Sequence, residues 1–257
     1  MWRKDGTATT VAIGVFAYML TTVVHELMGH GAMCVALGGH AVRASSLFLD
    51  CDIQRPLIDM AGPGANLITG LSATAVAYVL RDSRTHRHWQ VFAWIFAAYS
   101  LFFGMGYALF SGVTGLGDWT FLLGPESPTP TLRLVLSVFG IVAIVASLRL
   151  LRIASWSGLP ISATIPWHRM VLVYVGATLV AFAGAALDPA GMQAVIRLPP
   201  AAPFAGLGLL WLAYRGGRSV EAPAATTPLP GHRAWLAAGL VAAILYIGLL
   251  GPGIDLP

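Results

Sequence analysis

The amino-acid sequence predicts an all-α, polytopic membrane protein with about seven transmembrane helices. Of its 257 residues, 57% are hydrophobic and only 10% are charged, whereas about a quarter of the residues of a typical soluble domain are charged. The mean hydropathy is +0.75. Apolar runs that are long enough to cross about 30 Å of hydrocarbon as a helix recur along the chain. We therefore expect the lipid bilayer to surround most of the protein.

Seven apolar runs carry this prediction: 8–37, 57–80, 89–112, 131–151, 170–187, 198–214 and 234–250. The first run does not have the form of a cleavable signal peptide. Arg3 and Lys4 precede a largely apolar stretch that is too long and has a polar centre inside it. We expect this run to remain in the mature protein as the first transmembrane helix.

The distribution of basic residues predicts how the chain is oriented. They lie between the apolar runs rather than in one patch, which argues against a nucleic-acid partner despite a net charge of +4. When Lys and Arg are assigned to alternate sides of the seven runs, eleven fall on the N-terminal side and four on the other. Positive charge accumulates in cytoplasmic loops. The sequence thus predicts an integral, multi-pass protein of the cell membrane with a cytoplasmic N-terminus and an outward C-terminus.

The loop after the first run contains two features of its own. Residues 40–56 include V-R-A-S-S-L-F-L, which is typical of an extended segment or one arm of a hairpin. Cys34 lies late in the first apolar run, and Cys51 lies in the D-C-D segment of this loop. They can pair if the loop faces an oxidising compartment; otherwise Cys34 is a small buried apolar residue.

Three polar stretches interrupt the apolar pattern in the first half of the chain. They are V-V-H-E-L-M-G-H-G at 23–31, A-G-P-G-A-N at 61–66 and S-G-V-T-G-L-G-D-W at 111–119. The first lies toward the far end of the first run, the second opens the second run, and the third follows the third run. Because consecutive transmembrane helices alternate in direction, all three stretches should meet in one leaflet.

These stretches contain the residue types that a catalytic zinc requires. Two imidazoles and one carboxylate, from His25, His30 and Asp118, would leave one coordination position for water. Zinc lowers the pKa of such a water, and Glu26 is the candidate general base that takes up and delivers protons. Ionisable residues within a membrane are costly and are usually functional. The alternatives are a hydrogen-bonded polar seam between helices, a loop aspartate at 118, and ordinary close packing for the glycines of 61–66.

The spacing of the two histidines differs from the H-E-x-x-H signature, in which they are four residues apart. His25 and His30 are five apart, and a regular helix at about 100° per residue separates them by roughly 140°. A π-bulge absorbs one extra residue. We expect such a bulge between Met28 and His30, where Gly29 lowers the resistance to distortion. A regular helix would instead make Glu26 and His30 the ligands and leave His25 as their partner or as the base.

In order and spacing, the three stretches resemble the site-2 protease family of zinc intramembrane metalloproteases, especially its small bacterial members. There, one core helix carries H-E-x-G-H, the next begins with A-G-P-x-x-N, and a third ends in a turn that supplies an aspartate. The resemblance covers approximately residues 20–120. It implies a three-span metalloprotease-like core at 1–130. Residues 131–257 contribute nothing to the resemblance, and we expect them to form accessory transmembrane helices with a linker at 216–231.

The same resemblance implies roles for individual residues. It makes His25, His30 and Asp118 the zinc ligands and Glu26 the residue that activates water. The family usually has an asparagine eight residues before the ligand aspartate, which steadies the substrate or the oxyanion, and this chain has Phe110 there. The candidates for substrate contact, or for support of the metal ligands, are Asn66, Ser111 and His40. The family's metal lies nearer the cytoplasmic face, whereas the charge pattern here puts the motifs toward the outside.

We therefore expect an intramembrane zinc metallopeptidase that hydrolyses a peptide bond in or near a transmembrane segment of another membrane protein. Its partners would be that substrate and the lipid bilayer, and the sequence does not indicate an oligomeric state. One alternative is a catalytically inactive relative with a binding or regulatory role. A metal-handling transporter is the weaker alternative, because the later runs offer only Arg133, near one end, as an ionisable residue to continue a path.

Overall fold

The computed structural model describes residues 6–83, 85–123, 129–155, 165–189, 207–208, 210–211 and 229–256. The long helices in these ranges are α1 (Thr7–Ala36), α2 (Pro56–Val79), α3 (Arg87–Thr114), α4 (Pro130–Ile153), α5 (Trp167–Ala185) and α6 (Arg233–Leu250). Three short strands accompany them: β1 (Ala41–Ala44), β2 (Leu49–Cys51) and β3 (Ile254–Asp255). Each of the six helices coincides with a predicted apolar run.

Five of these helices are long and apolar enough to cross a membrane, and the chain has the make-up of a helical membrane protein. The five are α1, α3, α4, α5 and α6. Although α2 has 24 residues, it is not among them, because glycine, proline, asparagine and hydroxyl residues dilute its apolar side chains. The total of seven spans stays a prediction. The sixth predicted run, 198–214, and the linker, 216–231, lie mostly outside the described residues.

The helix α3 lies at the centre of the bundle. It is the most deeply buried of the five candidate spans and packs against α1, α2 and α4. Trp94, near the start of α3, donates its Nε1–H to the carbonyl of Leu151, near the end of α4, at 2.9 Å. These two helices are therefore antiparallel. By contrast, α1 and α6 run parallel, because the backbone N–H of His232, just before α6, bonds to Thr9 near the start of α1.

A small sheet lies beyond the end of α1, so the expectation of an all-α chain is wrong in this detail. The strands are arranged in the order β2-β1-β3, and both pairings are antiparallel. The β1–β2 hairpin falls in the segment where an extended arm was predicted. The two-residue strand β3 was not predicted; it forms through pairing of Asp255 with Arg43 and of Ile254 with Ala44 of β1. This pairing brings residues 254–255 to the same end of the bundle as the first loop.

A disulfide between Cys34 and Cys51 ties the end of α1 to the hairpin, with the two Cα atoms 6.0 Å apart. Closing a loop of this length restricts the unfolded chain and contributes about 3 kcal/mol. We expect the double variant Cys34→Ala/Cys51→Ala to lower Tm by roughly 5–10 °C in a thermal unfolding measurement. Reduction of the wild type should lower Tm similarly. An unchanged Tm in both experiments would mean that the bond contributes nothing to stability.

Candidate metal centre

The two histidines of the first polar stretch lie on a π-helical segment. Within α1, residues Val24–Gly31 form π-helix, with α-helix on either side. The extra residue per turn brings positions five apart to the same face, and the rings of His25 and His30 are 4.8 Å apart between centroids. The predicted bulge is confirmed. The alternative, in which Glu26 and His30 are the ligands, assumed a regular helix that separates the two histidines, and that assumption is wrong.

Asp118 joins the two histidines from the turn that follows α3. Its Oδ2 lies 2.8 Å from His25 Nε2 and 3.6 Å from His30 Nε2. One ligand atom from each of the three residues lies within 4.8 Å of the other two. Both histidines are buried, while 23% of the Asp118 side chain stays exposed. The convergence that was predicted from the order of the helices is therefore present.

The hydrogen bonds of His30 fix which of its nitrogens is free. Its Nδ1 lies 2.7 Å from the carbonyl oxygen of Ile58 in the first turn of α2, so Nδ1–H donates to that oxygen. In the neutral ring, Nε2 then has a lone pair that points at the Asp118 carboxylate. His30 Nε2 and Asp118 Oδ2 are 3.6 Å apart, and two such electron-rich atoms repel each other unless a proton or a cation lies between them.

His25 is contacted at Nδ1 by the side-chain amide of Asn66. Asn66 Nδ2 lies 3.0 Å from His25 Nδ1, whereas Asn66 Oδ1 is buried without a hydrogen-bond partner among the described residues. Rotating the amide by 180° exchanges its two ends and lets Oδ1 accept from His25 Nδ1–H. His25 Nε2 is then free as a ligand. Carbonyl or amide partners of this kind commonly orient histidines that bind metals.

The A-G-P-G-A-N stretch makes room for the imidazoles. A Cβ at Gly62 would lie 2.4 Å from His30 Nε2 and 2.8 Å from His25 Nε2. A Cβ at Gly29 would lie 2.5 Å from the Gly62 Cα, so α1 and α2 touch through these two glycines. Close helix packing was the alternative interpretation of the glycines of 61–66. The packing of α1 on α2 is part of the site, because it brings Gly62 against the Nε2 atoms of His25 and His30.

Glu26 lies beside this group and keeps one oxygen free of protein partners. The residue is 7% exposed, and its carboxylate interacts with the backbone N–H of Leu49, the first residue of β2. Oε2 is buried and has no hydrogen-bond partner within the described part of the chain. Such an oxygen can accept a hydrogen bond from a water molecule. Its position next to two imidazoles suits a carboxylate that exchanges protons with that water.

The turn that presents Asp118 is built by glycine and tryptophan. Gly115 and Gly117 have φ of 74° and 91°, which other residues adopt only with strain. Trp119 donates Nε1–H to the Gly104 carbonyl at 3.0 Å, in a second π-helical segment, Phe102–Gly106. This hydrogen bond anchors the turn to α3 and so holds the Asp118 carboxylate beside the two histidines.

We expect Trp119→Phe to weaken metal binding while the protein stays folded. The variant keeps an aromatic ring in place but loses the hydrogen bond to Gly104, so the Asp118 carboxylate is less firmly positioned. Loss of a group that orients a metal ligand typically costs 10- to 100-fold in affinity, and we expect about 10-fold here. Competition with a zinc chelator measures the change. Trp167→Phe, at an exposed tryptophan at the start of α5, is the matched control and should bind zinc like the wild type.

A divalent cation fits the residues that converge here. Two imidazoles and one carboxylate form a ligand set that suits catalytic zinc, and the partners of both histidines hold Nε2 toward Asp118. The second group of possible ligands consists of Cys34, Cys51 and Asp52. In that group the two sulfurs are bonded to each other.

The remaining predicted residues lie in different surroundings. Asn66 is the partner of His25, as described above. Ser111 is fully buried, and its hydroxyl has no hydrogen-bond partner among the described residues. His40 is exposed at the start of the hairpin, where its backbone N–H donates to Asp52. The His40 ring is not part of the His-His-Asp group.

Sequence reasoning missed three groups that contact the site or lie near it. They are the Ile58 carbonyl, the Leu49 N–H and Asp59, whose carboxyl is close enough to interact electrostatically with Asp118 and His30. Backbone groups leave no trace in a motif, and a hairpin register cannot be read from spacing. Asp59 did carry a signal, because it is an acidic residue two positions before the A-G-P-G-A-N stretch.

Comparison with protein-family models, with curated proteins and with solved structures gave no match to this chain. The likeness to site-2 proteases therefore rests on the three motifs alone.

Proposed function

We propose that this chain is an intramembrane zinc metallopeptidase, which hydrolyses a peptide bond in or near a transmembrane segment of another membrane protein. One observation carries the proposal: two imidazoles and a carboxylate converge, in a chain with the helices of a membrane protein, next to a glutamate that has a free oxygen. Ionisable groups gathered at this depth are expensive without a function.

The residues of the site have different roles in the proposed hydrolysis. His25, His30 and Asp118 would hold zinc, which when bound polarises a carbonyl and makes water more acidic. Glu26 Oε2 accepts a proton from the attacking water and later delivers it to the amide nitrogen that leaves. Leu49 N–H holds the other side of the Glu26 carboxylate and so orients Oε2.

A membrane-protein substrate follows from the surroundings of the site and from the motif resemblance. His25 and His30 lie within α1, one of the candidate spans, so a substrate must reach them at membrane depth. A segment that already lies in the bilayer is at this depth before it binds.

Two observations support an outward position for the site. The first is the charge bias, which predicts a cytoplasmic N-terminus. The second is the Cys34–Cys51 disulfide at the site end of α1, because disulfides persist in oxidising compartments. We propose that the hairpin, the C-terminus and the metal centre lie on the non-cytoplasmic side of the cell membrane.

A catalytically inactive relative is the alternative that one observation favours. Phe110 replaces the asparagine expected before the ligand aspartate, and it stacks on Tyr107 at 5.4 Å between ring centroids. Such a protein would bind zinc without cleaving peptides.

Reconstitution into lipid nanodiscs with single-span reporter proteins tests the proposal. We expect cleavage of at least one reporter within its transmembrane segment, loss of cleavage with 1,10-phenanthroline, and recovery on addition of zinc. Bound zinc without cleavage of any reporter would favour the inactive alternative. Cleavage that persists after complete removal of metal would contradict the proposed chemistry.

A further inference from the structure

The proposed hydrolysis requires a hydrogen-bond donor for the carbonyl oxygen, which becomes negatively charged when water adds to the carbon. Phe110 has no such donor. Besides the metal, a side chain near Asp118 with an available N–H or O–H can supply such a hydrogen bond.

Tyr107 has such a hydroxyl. A Cβ at Gly117 would lie 2.4 Å from Tyr107 Oη, so the hydroxyl lies against the residue that precedes Asp118. The phenol is also close enough to Asp118 and Glu26 to interact electrostatically with both. Its ring belongs to a row of aromatic contacts that begins at His25: Phe103 lies edge-on to His25 at 4.6 Å and stacks on Tyr107 at 5.9 Å between centroids.

The hydroxyl of Tyr107 is free to meet a substrate. Within the described residues no hydrogen bond to it is formed, and it is not one of the sealed polar atoms. The residue keeps 9% of its surface exposed. The ring is fixed between Phe103 and Phe110, so the hydroxyl is held in one direction without being used by the protein itself.

We propose that Tyr107 is a catalytic residue whose phenolic O–H donates a hydrogen bond to the oxyanion of the scissile carbonyl. This inference rests on the proposed peptidase function. The position that is asparagine in the resembled family packs here as Phe110 against the Tyr107 ring, and the donor lies one helical turn earlier.

Two other side chains were candidates for this role and fit it less well. One end of the Asn66 amide is the partner of His25 Nδ1 and the other end is sealed from solvent, so Asn66 supports a ligand. The Ser111 hydroxyl is sealed from solvent and belongs to a residue with no exposed surface. Neither group presents a free donor to the space where a substrate would lie.

The step balances without another reagent. Water oxygen forms a bond to the carbonyl carbon, the carbonyl π-electrons move to its oxygen, and Glu26 takes one water proton. Tyr107 keeps its proton and shares it with the oxyanion. When the intermediate collapses, an electron pair of the oxyanion re-forms the C=O bond, the C–N electron pair leaves with the nitrogen, and Glu26 gives its proton to that nitrogen.

Binding of two zinc-directed probes tests this role separately from activity. The first is an N-acetylated phosphinic dipeptide with leucine side chains, a tetrahedral anion that mimics the oxyanion. The second is a leucine peptide of the same length that ends in a thiol and has no such oxygen. Affinities are measured for the zinc-loaded wild type, for Tyr107→Phe and for Ser111→Ala. Tyr99→Phe, which removes a buried hydroxyl from an earlier part of α3, is the matched control.

We expect Tyr107→Phe to keep its zinc and its thiol affinity but to bind the phosphinate roughly 10- to 100-fold more weakly. Tyr99→Phe and Ser111→Ala should behave like the wild type. Equal phosphinate affinities for Tyr107→Phe and wild type would overturn the inference, and so would a loss confined to Ser111→Ala. If the zinc-loaded wild type binds neither probe, the proposed function itself fails.

Discussion

Replacing Gly62 by alanine should abolish stable zinc binding. The added methyl group would lie 2.4 Å from His30 Nε2 and 2.8 Å from His25 Nε2, so both imidazoles must move away from the position in which they meet Asp118. Loss of a group that orients one metal ligand typically lowers metal affinity 10- to 100-fold. Because Gly62→Ala displaces two ligands, we expect zinc affinity to fall by about 100-fold or more. Chelator competition on purified protein measures it.

Gly64→Ala is the matched control, because a Cβ at Gly64 meets no atom within 4 Å. Both substitutions replace glycine by alanine in the same helix, where alanine is the better helix former. Gly64→Ala should bind zinc like the wild type and be equally or more stable. Wild-type zinc affinity in a folded Gly62→Ala variant would show that the space beside the imidazoles does not matter for the metal.

Glu26→Gln should retain zinc and lose cleavage. Glutamine keeps the size of the side chain and its contact with Leu49, but its neutral amide cannot take up a proton from water. General acid–base catalysis contributes about 10²- to 10⁴-fold, and we expect a fall in kcat/KM in that range on any reporter that the wild type cleaves. Metal analysis of the same preparation shows whether the site is intact.

Asp59→Asn controls for the charge that the glutamine variant removes. Asp59 interacts electrostatically with Asp118 and His30, but it is outside the His-His-Asp group. We expect its neutralisation to change kcat/KM by less than about 10-fold. If Glu26→Gln keeps both zinc and full cleavage, Glu26 is not the base, and the division of roles proposed here is wrong.

Much of the fold and the outline of the site could be predicted from the sequence, because both follow from periodicity. Apolar runs located six described helices, and the alternating direction of helices brought His25, His30 and Asp118 to one end. The five-residue spacing then required a local departure from α-helix, which Val24–Gly31 provides. These inferences need only the rise and turn of a helix.

The remaining features depend on contacts between segments that are distant in sequence, and no spacing rule reports them. The Ile58 carbonyl, the Leu49 N–H and the Tyr107 hydroxyl lie near the metal group because α2, the hairpin and α3 pack as they do. β3 exists only through its pairing with β1. The closeness of Gly62 to both imidazoles likewise becomes visible only once α1 and α2 are in contact.

The zinc content of purified protein tests the central claim most directly. The wild type, His25→Ala and His40→Ala should be prepared in parallel and analysed by inductively coupled plasma mass spectrometry. Both variants lose one imidazole, from the same segment of the chain, but only His25 belongs to the converging group. We predict about one zinc ion per chain in the wild type and in His40→Ala, and almost none in His25→Ala. Equal zinc content in all three proteins, or none in the wild type after incubation with zinc, would contradict a metal centre at His25, His30 and Asp118.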